Sequence, residues 1–102
     1  MRALVIGKPR FQIPPADAPS LVQGAIDWYE RYRASFEVFG TFPGGGGFGV
    51  VDVPDEETLN RMIVEMPFAP FSEITVEPFV EGDKGFRQFQ EAMQAMTGAP
   101  AT

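Results

Sequence analysis

The sequence predicts an α+β fold made of two strand–helix–strand halves joined by a hairpin, with one further helix at the end. Three observations carry this prediction. Short runs rich in β-branched and aromatic residues at 3–7, 36–42, 48–53 and 74–80 read as four strands. Apolar residues recur at helical spacing after the first, third and fourth of these runs. Proline or glycine clusters punctuate the junctions between the two kinds of pattern.

Each element has its own reason. The first strand, 3–7, ends at Lys8-Pro9, where proline removes a ladder donor. Pro14-Pro15 and Pro19 mark a linker, with Asp17 or Ser20 available as a helix cap. From Leu21 to about Ala34, Leu21, Val22, Ala25, Ile26, Trp28, Tyr29 and Tyr32 share one half of a helical wheel. The second and third strands form a hairpin around Pro43 and Gly44 to Gly47, expected to be a loose and mobile loop. Asp55 is placed to cap the second helix, and Glu56 and Glu57 suit the positive end of its dipole. Leu59, Met62, Ile63 and Met66 are its buried stripe, closed by Pro67 and Pro70. Gly82 and Gly85 are expected to bracket a turn. Phe86, Phe89, Met93 and Met96 then mark the C-terminal helix. The order βαββαβ with an extra C-terminal helix is the ferredoxin-like arrangement, an antiparallel sheet with both main helices on one face. A single domain over 1–97 is expected, with 98–102 as a flexible tail.

Composition narrows the function. A net charge of −6 with no local basic cluster argues against nucleic acid and anionic membrane as partners. The apolar start of the chain stops at Gly7-Lys8-Pro9, too soon for a signal peptide or a membrane span, and a cytoplasmic protein is expected. Cysteine and histidine are both absent. That removes disulfides, thiolate nucleophiles, Cys/His zinc sites and the Ser-His-Asp triad. Proton transfer would have to use carboxylate, Tyr or Lys. No spacing suggests a metal site, and no cofactor is expected.

The strands do not alternate cleanly between apolar and polar. Phe36 and Val38 are read on one face of the second strand, and Phe39 on the other with Glu37 and Thr41. Val50 and Val51 are adjacent, and Phe79 shares a face with Thr75 and Glu77. A sheet apolar on both faces needs cover on both. One cover is the helices. The other is expected to be a second copy, in a homodimer through the sheet face.

The stretch Val50-Val51-Asp52-Val53-Pro54-Asp55, then Glu57-Thr58-Leu59, Met66-Pro67-Phe68-Ala69-Pro70-Phe71 and Ile74-Thr75-Val76-Glu77 resembles the muconolactone isomerase family. A Pro-Pro pair before the first helix is a further likeness. The resemblance covers 48–80 well and 1–47 weakly. It implies a dimeric α/β barrel of ferredoxin-like subunits and a cofactor-free proton shift on a small lactone or similar ring. The family carries a candidate lysine on the first helix, whereas no lysine lies between Lys8 and Lys84 here.

Several side chains could carry such chemistry in a pocket between the sheet and the first helix. Glu37, if enclosed, would have its pKa raised toward the acid/base range, though a strand-edge glutamate in water is the commoner case. Glu77 invites the same two readings. Arg33 could anchor a substrate carboxylate with its two-pronged guanidinium, or it could simply pass the helix end into water. Tyr29 could steady an enolate-like oxygen. Trp28 and Tyr32 suit either a pocket wall or the core, as does Phe39. Phe68 and Phe71 could form a lip over a cavity, or could only stiffen a turn. Asp52 reads better as a turn or cap acceptor than as a catalyst. The glycines at 44–47 have no helix and no Gly-Lys-Ser/Thr behind them, which excludes a phosphate loop.

The expected function is a cofactor-independent isomerase or cyclase for a small cyclic or aromatic-derived molecule, working in catabolism or natural-product tailoring. Glu37, Tyr29 and Arg33 are the catalytic candidates. Two other classes stay open: a cofactor-free oxygenase of aromatic or polyketide substrates, and a non-catalytic ligand-binding or auxiliary dimer.

Overall fold

The computed structural model describes residues 1–98 and follows the predicted order. Strand β1 (Arg2–Pro9) leads to helix α1 (Ala18–Tyr32), and a 3-10 turn (Arg33–Ser35) enters strand β2 (Phe36–Thr41). Strand β3 (Gly47–Asp52), helix α2 (Glu56–Glu65), a 3-10 turn (Ala69–Phe71), strand β4 (Ser72–Phe79) and helix α3 (Gly82–Thr97) complete it. The four strands form one sheet in the order β2-β3-β1-β4, antiparallel at every pairing. This is the ferredoxin-like α+β arrangement. Of the expected tail, Gly98 is the left-handed cap of α3, at φ 66°, and 99–102 lie outside the described residues.

The core lies between the sheet and helices α1 and α2. Ala3, Val51, Val53, Leu59 and Met62 are its buried residues, with Val5, Trp28, Phe36, Ile63 and Val76 packed against them. Register explains the composition of this face: Ala3 pairs with Val51 and Val5 with Val76, so these side chains stand together under the helices. Leu4 pairs with Val50 and Ile6 with Phe48, which places those apolar residues on the opposite face.

Helix α2 is capped as its sequence predicts. The Asp55 carboxylate accepts from the Thr58 backbone N–H at 2.8 Å and from its hydroxyl at 2.7 Å. These bonds, the backbone one foremost, hold the Asp55 pKa below the usual carboxylate value. At the other end, the Met66 N–H closes a tight bond onto the Ile63 carbonyl, leaving the Met62 carbonyl without its helical donor. The Trp28 indole N–H fills that vacancy at 2.9 Å, tying α1 to the last turn of α2.

Four details differ from the sequence reading. A bulge between Phe36 and Val38 inserts a residue into β2, so Phe36 and Phe39 pair with Val51 and Gly49 on the helix face. Glu37 and Val38 are thereby turned to the outer face, and Glu37 no longer shares a side with Phe39 and Thr41. In α1, Val22 and Ile26 are about half exposed, because the helix leans in through Gly24 against Pro67 and through Trp28. Gly82 and Gly85 do not bracket a turn; they form the opening of α3. Finally, the hairpin at 42–46 is closed by backbone bonds between Phe42 and both Gly45 and Gly46. Gly46 has φ +84°, and a Cβ there would overlap the Gly7 carbonyl oxygen.

Helix α3 stands off from the rest and stretches the molecule to 64 Å against 26 and 23 Å in the other directions. It buries nothing, and Phe86 and Met96 are 78% and 80% exposed.

Candidate functional site

A half-open cavity of about 390 Å³ lies between the helix face of the sheet and helices α1 and α2. Small residues make the space. Gly7 in β1 and Gly47 and Gly49 in β3 carry no side chain into it, and the Phe36 ring lies over Gly49 from the neighbouring strand. Trp28 and Phe36 meet edge-to-face at 5.6 Å, and Phe36 and Phe39 do the same at 5.5 Å. Met62 and Ile63 of α2, with Met66 just past its end, form the opposite wall.

Phe68 and Phe71 flank the cavity at the entrance to β4. Their position is held by hydrogen bonds to their carbonyls: that of Phe71 accepts from the Arg10 and Phe11 backbone N–H groups at 2.9 and 3.1 Å, and that of Phe68 accepts from the Ser72 hydroxyl at 2.9 Å. This pins the start of the β1–α1 connection over the same opening.

Of the residues singled out from the sequence, Trp28, Phe39, Phe68 and Phe71 line the cavity. Tyr29 stacks on Phe39 with ring centres 4.5 Å apart, and its hydroxyl has no protein partner among the described residues. Tyr32 packs beside Trp28 but spends its hydroxyl on the Glu65 carboxylate, which, with burial, raises the tyrosine pKa. Arg33 is 68% exposed in the 3-10 turn and pairs with Glu30 at 3.6 Å. Glu37 sits on the outer sheet face, where Arg2 Nε donates to it at 2.9 Å. That bond is the main reason the Arg2 pKa is raised. The structure therefore brings the aromatic candidates together and leaves Glu37 and Arg33 outside their cavity.

Sequence reasoning missed Phe36, Thr41, Ser72 and the methionines of α2 as cavity residues. Phe36 could not be placed because the bulge that turns Phe39 to its side leaves no mark in the amino-acid pattern. The methionines read as core stripe, which they also are.

Electrostatically the cavity is bare. Its lining contains no Asp, Glu, Lys, Arg or Tyr side chain. Nor do the described residues place three or more carboxylates where they could hold a metal ion, and no helix among them is long and apolar enough to cross a membrane.

No protein-family model matches the sequence, and no curated protein does. Solved structures do match in fold. A crystal structure of muconolactone isomerase superposes with a TM-score of 0.68 at 23% identity, over 79% of this chain and 90% of that one. A 5-chloro-2-hydroxyhydroquinone dehydrochlorinase from Burkholderia phenoliruptrix, solved with 2,5-dihydroxybenzoquinone, superposes with a TM-score of 0.64 at 18% identity. That match covers 82% of this chain and 98% of the other. At these identities the likeness speaks for the backbone arrangement. The chain has the muconolactone isomerase-like fold.

Proposed function

We propose that this protein is a small-molecule enzyme of isomerase or lyase type that holds a ring-containing organic substrate between its sheet and its first two helices. The observation that carries the reading is the aromatic cavity of about 390 Å³, a volume within the range that small-ligand sites occupy. The two structural relatives, an isomerase and a dehydrochlorinase, favour a reaction that moves a proton or eliminates a small group. Tyr29 is the protein group best placed to steady developing charge, since its hydroxyl is unspent and its ring abuts Phe39 at the cavity edge. Glu37 is assigned instead to the Arg2 ion pair, and Arg33 to the helix end.

The working form is a homodimer. The outer sheet face carries Leu4, Ile6, Val50 and Phe48, interleaved with charged residues, and would be covered by a second copy. Helix α3 adds a second unsatisfied surface. Its charges balance, Asp83 and Glu91 against Lys84 and Arg87, so the net charge of −6 lies elsewhere and two acidic copies could meet along α3 without added repulsion.

The test is native mass spectrometry of the purified protein. The expected result is a dimer carrying a small organic molecule, and Tyr29→Phe should lower turnover of that molecule or its precursor by about tenfold or more. A ligand-free monomer, inert toward lactone and hydroquinone substrates, would overturn the reading.

A further inference from the structure

We infer that the ligand of this cavity is uncharged and aromatic, and that Thr41 is the side chain that orients it; this rests on the cavity being the binding site. The lining supplies no counter-ion for a carboxylate, phosphate or ammonium group. An ionised group held inside it would shed hydration that no lining side chain replaces, a cost that favours uncharged ligands over charged ones of the same shape.

The polar atoms that do reach the cavity are almost all committed. The Trp28 N–H is spent on the Met62 carbonyl, and the Ser72 hydroxyl donates to the Phe68 carbonyl. Thr41 stands at the end of β2, paired with Gly47, on the same face as Phe39, and its hydroxyl has no partner among the described residues. Among the residues that line the cavity it is thus the side-chain donor left open to a ligand oxygen, with the Tyr29 hydroxyl outside that lining. The walls favour flat rings: Trp28, Phe36 and Phe39 meet at steep angles, leaving ring faces and edges turned toward the space. A fused two- or three-ring quinone or phenol with an oxygen directed at Thr41 fits this combination.

The sole tryptophan, Trp28, lines the cavity and reports on its contents. The test titrates naphthoquinone and its sulfonated analogue, both quenchers with the same ring system, at neutral pH while following Trp28 emission. Having no cysteine, the chain offers no thiol to react with the quinone. Naphthoquinone is expected to quench saturably with a Kd at least about tenfold below that of the sulfonate. Thr41→Val should weaken naphthoquinone binding several-fold. Thr41→Lys, at an exposed strand end, should reverse the preference toward the sulfonate. Equal or tighter binding of the sulfonate to the natural chain overturns the inference and leaves the cavity reading standing. No saturable quenching by either compound overturns both.

Discussion

Helices α2 and α3 carry the same kind of apolar stripe and meet opposite fates. In α2, Leu59 and Met62 are 5% and 2% exposed beneath the sheet face. In α3, Phe86, Phe89 and Met96 are between 68% and 80% exposed, with no element among the described residues burying them. The difference is one of connection. Helix α2 lies between two strands that pair with the same central strand, β1, so its return path lays it on the sheet. Helix α3 follows the last strand and is tied to the body at one end only. An amphipathic pattern therefore says that a helix needs cover without saying from where.

The largest expected effect tests the α2 side of this contrast. Met62→Ala opens a hole in the core and should cost about 2–5 kcal/mol of unfolding free energy, whereas Met96→Ala should leave the unfolding of the isolated chain nearly unchanged. Urea denaturation of the two variants at concentrations where the chain is monomeric decides it, and equal losses would mean that α3 packs against its own chain.

Next comes α3 itself. Phe86→Glu with Phe89→Glu should convert the dimer to monomer in sedimentation velocity while the far-ultraviolet circular dichroism of the body persists. An unchanged sedimentation coefficient would show that α3 plays no part in association.

A smaller effect belongs to the joint between α1 and α2. Trp28→Phe keeps the ring but removes the indole donor, leaving the Met62 carbonyl short of a partner. The expected loss is about 0.5–1.5 kcal/mol, read by the same denaturation. No loss would mean that water takes the place of the indole.

The smallest concerns the α2 cap. The Asp55 pKa is lowered in the folded protein, so its contribution to stability is present above the unfolded carboxylate pKa and disappears as pH falls through the folded value. Asp55→Asn should therefore lower the melting temperature slightly at neutral pH, where that contribution is present, and the difference from the natural chain should vanish as pH falls below about 4. A natural-chain profile identical to the variant's would remove the cap from the account.

How much was legible can be seen in β2. The run Phe36–Phe42 marked a strand without ambiguity, because β-branched and aromatic residues suit a pleated, half-buried surface. Which way each side chain pointed was not legible. One inserted residue reverses the faces after it, and the bulge arises from pairing with β3, a partner the local sequence does not specify. So Phe39 lines the cavity beside Phe36, from which the sequence reading had separated it, while Glu37, read beside Phe39, lies on the other face. For the Pro-rich turn at Phe68 and Phe71 the sequence left two readings, a lip over a cavity or a stiffened turn, since proline restricts the backbone locally whichever holds. Thr41 and Ser72 were not readable as cavity residues, since their part depends on which hydroxyl finds a partner in three dimensions.

By itself the amino-acid sequence determined what local energetics decide: the order of strands and helices, that Asp55 caps α2, that glycines occupy the 44–47 hairpin, and that every helix has an apolar side. The tertiary structure alone decided the direction of Glu37, the half-exposure of Val22 and Ile26, the capture of the Met62 carbonyl by Trp28, and the isolation of α3. The reason is that local preferences act over a few residues along the chain, whereas faces, cavities and unspent hydrogen bonds are set by segments that meet only after the sheet has closed.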